Sequence, residues 1–260
     1  MTDRSTSASR APIQWRSIGA SARLTHADWL DAARSLAPES IDLLYVDPPF
    51  NTGSRQEANE GAFVDSWPSP QAYVAWMRAR LEAALPAMHR RGNLLIHVDW
   101  RTSHHVRLML DDLLGADHFV NHLIWSYGLG GSSPRRFARK HDDILFYAID
   151  PDAYWFDPPQ VPATSRRMAG RSKKATDVLD VPALNNMAHE RVGWPTQKPL
   201  ALLRMLIQGC CPPDGAVFDP CCGSGTTLVA AIETGRHAVG ADINPDAVRV
   251  AQLRILQAQE

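Results

Sequence analysis

The chain has 260 residues, 45% of them hydrophobic, which is enough to bury the core of one large domain. Its formal net charge of −1 excludes a global electrostatic attraction to nucleic acid, so any DNA-binding surface must be a local patch. The four cysteines form two adjacent pairs, Cys210-Cys211 and Cys221-Cys222, whose spacing fits neither a zinc site nor a disulfide framework.

The first 12 residues are polar and rich in Ser and Thr, which predicts a disordered N-terminal segment and not a secretory signal. No apolar run of the sequence approaches the length that is needed to cross a membrane. These two features favour a cytoplasmic protein that has no membrane partner.

Apolar runs of strand length alternate with amphipathic segments of helix length along most of the chain. The predicted strands cover residues 21–26, 41–46, 93–98, 119–127, 144–149, 216–218 and 237–241. The predicted helices cover residues 29–36, 70–85, 104–114, 199–207, 228–233 and 246–257. This alternation predicts an α/β fold with a doubly wound, mostly parallel, Rossmann-like sheet, in which 119–127 and 144–149 form an antiparallel edge.

Three stretches interrupt the alternation. Residues 51–69 are polar, with glycines at positions 53 and 61, and predict a mobile or ligand-ordered loop. The two edge strands are joined by a glycine-rich basic loop, which contains Arg135, Arg136, Arg139 and Lys140. Residues 150–195 predict an insertion rich in proline, serine and basic residues, whose basic run is Arg166, Arg167, Arg171, Lys173 and Lys174. In an otherwise near-neutral chain, both basic groups are candidates for contacts to phosphates.

The segment Asp47-Pro48-Pro49-Phe50 carries the strongest chemical signal of the sequence. It follows the buried strand 41–46, and the prolines, which lack an N–H and fix φ, end that strand in a stiff turn. The Asp47 carboxylate and the Pro48 carbonyl can accept hydrogen bonds from an amine, while Phe50 stacks on a ring. The alternative is an ordinary turn with a solvated Asp, but the two prolines and the aromatic residue favour a site for a flat polar ligand.

A second stretch, residues 218–227, combines a strand end, a Gly-x-Gly turn at Gly223 and Gly225, and a helix start. The backbone N–H groups of such a turn can hold an anionic group at the helix N-terminus. Asp242 ends the next strand at about the distance from the glycines at which an acid binds ribose hydroxyls. The third glycine of the dinucleotide fingerprint is missing, with Leu228 near that place, which argues against NAD.

Both stretches resemble the amino-group DNA methyltransferases, which modify the N6 amine of adenine or the N4 amine of cytosine. The family signature Asp-Pro-Pro-Tyr/Phe matches residues 47–50 and implies that Asp47, Pro48, Pro49 and Phe50 are catalytic. The family's S-adenosylmethionine loop, Asp-Pro-Phe-Cys-Gly-Ser-Gly-Thr-Thr, matches residues 219–227, with Cys221 in the place of Phe. The resemblance therefore implies S-adenosyl-L-methionine as the cofactor, with contacts from Asp47, Asp219, Pro220, Cys221, Cys222, Gly223, Ser224, Gly225, Thr226, Thr227, Asp242, Ile243 and Asn244.

Two shorter matches extend this resemblance. The segment 195–199 resembles the family element beside the methionine end of the cofactor, which implies contacts from Thr196, Gln197 and Lys198. His26-Ala27-Asp28 resembles a short strand whose acid lies near the cofactor adenine, although Asp28 alone fits the role of a helix N-cap equally well.

The order of the motifs matches the permuted, β-type members of the family, including the modification subunits of type III systems, because the catalytic stretch precedes the cofactor loop. The resemblance then implies three regions after the N-terminal segment. Residues 13–149 form the catalytic half of the methyltransferase domain, 150–195 a short target-recognition insertion, and 196–260 the cofactor-binding half.

The residues and the resemblance together predict methyl transfer to the N6 amine of adenine in double-stranded DNA, after the base has been flipped out of the duplex. The N4 amine of cytosine is the alternative, because Asp47 can hold either amine, but Asp at this position is typical of the adenine enzymes. The motif order disfavours a methyltransferase of RNA or protein, and the intact residues 47–50 disfavour a non-catalytic DNA-binding module. The resemblance allows a homodimer and a partner restriction endonuclease, and the histidines show no spacing typical of a metal site.

Overall fold

A computed structural model describes residues 12–58, 61–128, 132–163, 167, 169–185 and 187–260. Of the segment 1–12, only Pro12 lies within this description. The strands are β1 (Arg16–Ile18), β2 (Ala22–His26), β3 (Ile41–Val46), β4 (Ser54–Ala58), β5 (Gly61–Asp65), β6 (Met88–Val98), β7 (Phe119–Ser126), β8 (His141–Ala148), β9 (Gln160–Pro162), β10 (Ser172–Lys174), β11 (Val178–Asp180), β12 (Ala216–Asp219) and β13 (His237–Asp242). The helices are α1 (Trp29–Arg34), α2 (Pro70–Ala84), α3 (Ser103–Leu114), α4 (Leu200–Cys210), α5 (Thr226–Glu233) and α6 (Pro245–Gln257).

The main sheet has the strand order β1-β2-β13-β12-β3-β6-β8-β7-β11. The pairings from β2 through β13, β12 and β3 to β6 are parallel, whereas β8 is antiparallel to both of its neighbours. The predicted doubly wound, mostly parallel sheet with an antiparallel edge is confirmed. Strand β11 lies beyond the predicted edge and is parallel to β7.

Strand β3 separates two layers of helices. Leu43 and Tyr45 pack with residues of α4, α5 and α6, whereas Leu44 and Val46 pack with residues of α1, α2 and α3. Successive side chains of a strand point to opposite faces of the sheet. A strand that is covered on both faces is therefore a continuous apolar run, as residues 43–46 are.

The parallel strands bring the chemical residues to one edge of the sheet. Strands β2, β3, β6, β12 and β13 run in the same direction, so that their carboxyl ends lie at a common edge. Asp28 and Asp47 follow two of these ends, and Asp219 and Asp242 are the last residues of two others. Ligands of open α/β sheets bind in the crevice outside this edge.

The stretch 51–69 is not an irregular loop, because β4 and β5 pair as an antiparallel hairpin. The carboxylate of Asp65, which is 2% exposed, holds the base of this hairpin. One of its oxygens accepts the N–H of Asn51 at 2.6 Å, and the other accepts the hydroxyl of Thr52 at 2.6 Å. The polar residues that led to the prediction of a loop therefore form hydrogen bonds with one another.

The stretch 150–195 contains short strands in spite of its lack of periodicity. Strands β9 and β10 pair with each other, and β11 extends the main sheet. The indole N–H of Trp125, on the neighbouring strand β7, donates to the carbonyl of Val181 at 2.7 Å. The part of this stretch around β11 is thus integrated into the main sheet.

Candidate active site

A cavity of about 370 Å³ opens at the carboxyl edge of the sheet, a volume in the range of small-molecule sites. The predicted catalytic residues Asp47, Pro48, Pro49 and Phe50 line it. All but one of the predicted cofactor residues also line it, namely Asp28, Thr196, Gln197, Lys198, Asp219, Pro220, Cys221, Cys222, Gly223, Ser224, Thr226, Thr227, Asp242, Ile243 and Asn244. The fold therefore brings together residues that are up to about 200 positions apart in the chain.

Gly225 is the exception, and its role is in packing. It lies at the N-terminus of α5 with φ +78°, a conformation that glycine adopts without strain. A Cβ atom on Gly225 would lie 2.8 Å from the Cβ of Ala251. The missing side chain therefore lets the start of α5 lie directly against α6.

Asp47 is held at the mouth of the cavity by a cation. Its Oδ2 accepts a hydrogen bond from Nζ of Lys198 at 2.5 Å. Nζ of Lys198 also lies 5.3 Å from the centre of the Phe50 ring, within the range of a cation–π contact. The carboxylate and the aromatic ring of the signature are thus positioned by the same lysine.

The predicted cofactor loop begins at Asp219, whose side chain is buried. Burial raises the pKa of Asp219 to about 7, although hydrogen bonds from the Thr227 hydroxyl and the backbone N–H of Cys221 act in the opposite direction. The N–H of Cys221 lies 3.0 Å from Oδ1. Asp219 therefore accepts hydrogen bonds from residues on both sides of the Gly-x-Gly turn.

Asp242 supports the same turn from the next strand. Its Oδ2 accepts the N–H of Gly223 at 2.8 Å, and its Oδ1 accepts the N–H of Asn244 at 2.9 Å. Burial raises the pKa of Asp242. Each carboxylate oxygen has a second lone pair, so Asp242 can still accept hydrogen bonds from ligand hydroxyls.

The groups around the turn fit a ligand that has a ribose and a charged tail. Gly223 has φ +50°, and a Cβ atom there would lie 3.0 Å from Nε1 of Trp194, so that only glycine leaves this space open. Asp242 can accept hydrogen bonds from the ribose hydroxyls. The cation Lys198 and the N-terminus of α5 can interact with an anionic group.

Asp28 has the role of helix cap that the sequence left open. Its Oδ1 accepts the N–H of Leu30 at 2.8 Å at the start of α1, and its Oδ2 forms an ion pair with Arg80 at 2.7 Å. Its side chain still lines the cavity. The two interpretations of Asp28 are compatible, because a carboxylate can cap a helix and face a ligand at the same time.

The hairpin β4–β5 covers the cavity and was not recognised as part of the site. Phe63, Val64 and Trp67 line the cavity from this side, and Val64 is 64% exposed. The side-chain amide of Asn244 donates to the carbonyl of Ala62 at 3.0 Å, which joins the hairpin to the start of α6. The apolar group at positions 62–64, within a stretch that is polar on average, is the sequence feature that could have indicated this part of the cavity wall.

The basic loop of residues 132–140 lies at the same edge of the sheet as the cavity. It connects the carboxyl end of β7 to the start of β8. The guanidinium of Arg139 lies 3.3 Å from the centre of the Trp100 ring, and Nζ of Lys140 donates to the carbonyl of Gly128 at 2.9 Å. Arg135 and Arg136 are exposed.

The basic residues of the stretch 150–195 lie farther away. Arg166 is outside the described residues, and Arg167, Arg171, Lys173 and Lys174 are exposed. The hairpin β9–β10 is rooted at Pro159, which contacts Gly209 in the last turn of α4. Since α4 begins at Leu200, close to Lys198, and rises about 1.5 Å per residue, Gly209 lies about 14 Å along the helix from its start.

Among the described residues, no three His, Cys, Asp or Glu side chains are grouped in a way that could hold a metal ion. In the same part of the chain, no helix combines the length and apolarity of a membrane span.

Comparison with protein families gives a match over residues 41–253 to the family described as "DNA methylase". The chain is 28% identical to the type II methyltransferase M.ScaI of Streptomyces caespitosus, over 89% of this chain and 80% of that protein. It is 24% identical to the DNA adenine methyltransferase YhdJ of Escherichia coli K12, over 89% of this chain and 82% of that protein.

Solved structures with the same fold include a DNA methyltransferase and a protein in complex with S-adenosylmethionine. The PvuII DNA methyltransferase, which is described as cytosine-N4-specific, superimposes with a TM-score of 0.66 at 17% identity, over 91% of this chain and 87% of that chain. M1.HpyAVI in its S-adenosylmethionine complex gives a TM-score of 0.61 at 17% identity, over 90% of this chain and 98% of that chain.

Proposed function

This chain belongs to the DNA methylase family and is a DNA methyltransferase that uses S-adenosylmethionine, and we propose that its target is the N6 amine of adenine in double-stranded DNA. The observation that carries the proposal is the Asp47 carboxylate, held by Lys198 at the mouth of the cavity beside Phe50. When bound, the cofactor supplies a methyl group on a sulfonium sulfur, which is an electrophile without any metal.

The residues around Asp47 bind and orient the amine. Oδ2 of Asp47 already accepts a hydrogen bond from Lys198, so we assign Oδ1 and the carbonyl of Pro48 as the acceptors of the two amine hydrogens. Hydrogen bonds at these hydrogens direct the nitrogen lone pair away from Asp47 and towards the methyl group. Such positioning of two reactants contributes much of the rate acceleration of transfer reactions.

Phe50 offsets part of the cost of bringing a base into this site. Taking a base out of the duplex costs a few kcal/mol of stacking and pairing. Phe50 lines the cavity and is only partly buried, so its ring can stack on the base. Because stacking does not distinguish bases, this contact supports flipping and not selectivity.

Adenine is favoured over cytosine by the acid at position 47 and by one relative. Both bases present an amine next to a ring nitrogen, so the hydrogen bonds of Asp47 and Pro48 do not choose between them. Asp at this position is typical of the adenine enzymes that the sequence resembles, and YhdJ is described as an adenine methyltransferase. The cytosine amine is the alternative that the experiment must exclude.

The two basic surfaces are proposed to hold the phosphates of the duplex. The loop with Arg135 and Arg136 lies at the same edge of the sheet as the cavity, and the hairpin with Arg171 and Lys173 is rooted at the last turn of α4. The side chains of Arg135, Arg136, Arg171 and Lys173 are exposed, so they are candidates for contacts to the phosphates of a duplex whose target base enters the cavity.

The test is expression in a host without DNA methylation, followed by sequencing that detects modified bases. The wild-type chain is expected to produce N6-methyladenine at a defined sequence, and the Asp47→Ala variant none. Unmodified DNA from cells that contain folded wild-type protein would contradict the proposal.

A further inference from the structure

Phe137 has the most exposed large apolar side chain among the described residues, at 97%. A single exposed apolar side chain is common on protein surfaces and needs no explanation by itself. Phe137 differs from such residues in its surroundings, because it lies in the basic loop between Arg135, Arg136, Arg139 and Lys140. The packing of this chain does not explain a large ring that is exposed among cations.

The second half of the basic loop is attached to the main sheet. The guanidinium of Arg139 lies 3.3 Å from the centre of the Trp100 ring, just beyond β6. The backbone N–H of Tyr127 donates to the carbonyl of Lys140 at 3.1 Å. Phe137 precedes Arg139 by two residues, so their Cα atoms are at most about 7 Å apart. The position of Phe137 is therefore limited by the attached part of the loop.

The attached end of the loop lies beside the part of the cavity that contains Phe50. The ring centre of His97 is 5.6 Å from that of Phe50, and Nε2 of His97 is 3.3 Å from Oδ2 of Asp142. Asp142 is the second residue of β8, and the basic loop ends directly before this strand. A duplex that places a base against Phe50 is therefore next to the basic loop.

Three guanidinium groups converge where the loop is attached. The guanidinium of Arg101 lies 4.9 Å from the centre of the Trp100 ring, on which Arg139 also stacks. Desolvation and the charges of Arg136 and Arg101 lower the pKa of Arg139. Asp99 forms an ion pair with Arg101, but among the described residues no carboxylate forms one with Arg136 or Arg139. These like charges favour an anion between them, and phosphates of DNA have the matching charge.

A base that leaves the duplex leaves a gap between its two neighbours in the stack. Flipping costs the stacking and pairing of the target base, so a group that fills the gap favours the flipped state. Apolar side chains, including Phe, insert between bases in this way in proteins that bend DNA. Phe50 lines the cavity into which the base moves, so it cannot also fill the gap. Phe137 is not part of the cavity lining and is free to do so.

We propose that Phe137 inserts into the duplex at the position that the target base leaves, while Arg136 and Arg139 bind neighbouring phosphates. The inference rests on the base flipping of the proposed function. The ring stacks on the bases beside the gap and replaces part of the stacking that the target base loses. No covalent bond changes in this step, and Phe137 shifts only the equilibrium between the stacked and the flipped base. Because every base has a face on which a ring can stack, Phe137 is not expected to read the recognition sequence.

The test is single-turnover methyl transfer by the full chain to a duplex that contains the mapped target sequence, with cofactor and DNA saturating. The Phe137→Ala variant is expected to lose about 10-fold to 100-fold in rate, the factor that corresponds to one contact between a base and an aromatic ring. A mismatch at the target base lowers the cost of flipping, so on a mismatched duplex the loss should shrink to less than about threefold. The Phe137→Trp variant keeps a flat ring and should restore most of the rate on the paired duplex.

Two control variants separate insertion from other effects. Arg136→Ala is expected to weaken DNA binding by the same factor on paired and mismatched duplexes, because a phosphate contact does not depend on base pairing. Leu253 is also an exposed apolar residue, at 52%, but it lies about 12 Å along α6 from the start of that helix. Leu253→Ala is expected to keep the wild-type rate on both duplexes.

A fluorescence measurement gives a readout without turnover. The target adenine is replaced by 2-aminopurine, an analogue whose fluorescence rises when it leaves the stack. The wild-type protein is expected to raise the fluorescence of the bound duplex, and the Phe137→Ala variant to raise it less.

The outcomes separate this inference from the proposed function. A Phe137→Ala variant that keeps the wild-type rate on the paired duplex would overturn the inference, and so would an equal loss on paired and mismatched duplexes. The exposure of the side chain means that this substitution should leave the melting temperature unchanged. A wild-type protein that methylates no DNA would instead contradict the proposed function.

Discussion

Nζ of Lys198 lies 2.5 Å from Oδ2 of Asp47, although the two residues are 151 positions apart in the chain. Their side chains are only 10% and 19% exposed. The pair joins the turn after β3 to the segment before α4, and it therefore holds the Asp47 carboxylate against the start of α4.

The Lys198→Gln variant tests the contribution of this ion pair to stability. It leaves a partly buried carboxylate without its cation, so we expect the free energy of unfolding in urea to fall by about 1–3 kcal/mol. Arg204→Gln is the matched control, because Arg204 forms a 2.7 Å ion pair with Glu233 at 42% and 31% exposure. An exposed pair contributes less than about 1 kcal/mol. Equal losses in both variants would mean that Lys198 does not stabilise Asp47.

Asp242 is expected to bind the ribose hydroxyls of the cofactor. The Asp242→Ala variant leaves these hydroxyls without a buried acceptor and also frees the N–H of Gly223, so cofactor binding should weaken by about 1–3 kcal/mol. The Asp47→Ala variant is expected to bind the cofactor almost normally. Isothermal titration calorimetry measures both, and an unchanged affinity in Asp242→Ala would remove this acid from the cofactor site.

Asp219 is expected to make the stability of the protein depend on pH. Its pKa is raised by burial to about 7 in the folded state, against about 3.9 in an unfolded chain. The folded state therefore binds more protons between about pH 4 and pH 7, and the contribution of this group to stability declines as pH rises through that window. The total decline is at most about 4 kcal/mol, and it should be absent from the Asp219→Asn variant. Urea unfolding at pH 5 and pH 7.5 measures it, and the same decline in both proteins would contradict the assignment.

The basic surfaces are expected to contribute to the salt dependence of DNA binding. Each phosphate contact that is removed should reduce the slope of log K against log salt by about 1. We expect this change in Arg136→Ala at the cavity edge and in Arg171→Ala on the hairpin. Arg78→Ala is the control, since Arg78 forms ion pairs with Glu82 and Asp112 on the helical face of α2 and α3. An unchanged slope in Arg136→Ala or Arg171→Ala would exclude that surface from the DNA interface.

Local patterns were sufficient to predict the framework of the site. Each of the acids Asp47, Asp219 and Asp242 ends an apolar run, and the strand that precedes it is confirmed in each case. Because parallel strands end at one edge of a sheet, the fold class alone brought these three residues together. The antiparallel pairing of β7 with β8 was also predicted from local patterns, and it is confirmed.

Contacts between distant segments were not predictable from these patterns. The hairpin of β4 and β5 depends on the buried carboxylate of Asp65, which looks like any polar residue in the sequence. The buried His97 has its polar partners Tyr45 and Asp142 on two other strands, β3 and β8, so no spacing along the chain reveals them. The homodimer that the family resemblance allows stays a prediction, which light scattering of the purified chain can check.

The most direct test is to identify the nucleoside that carries the methyl group. Purified protein is incubated with labelled S-adenosylmethionine and unmethylated duplex DNA, and the DNA is digested and analysed by mass spectrometry. We expect label in N6-methyl-2′-deoxyadenosine from the wild type and none from the Asp47→Ala variant, even though that variant still binds DNA. Label found only in N4-methyl-2′-deoxycytidine would contradict the assignment to adenine, and label from Asp47→Ala at the wild-type rate would contradict the central role of Asp47.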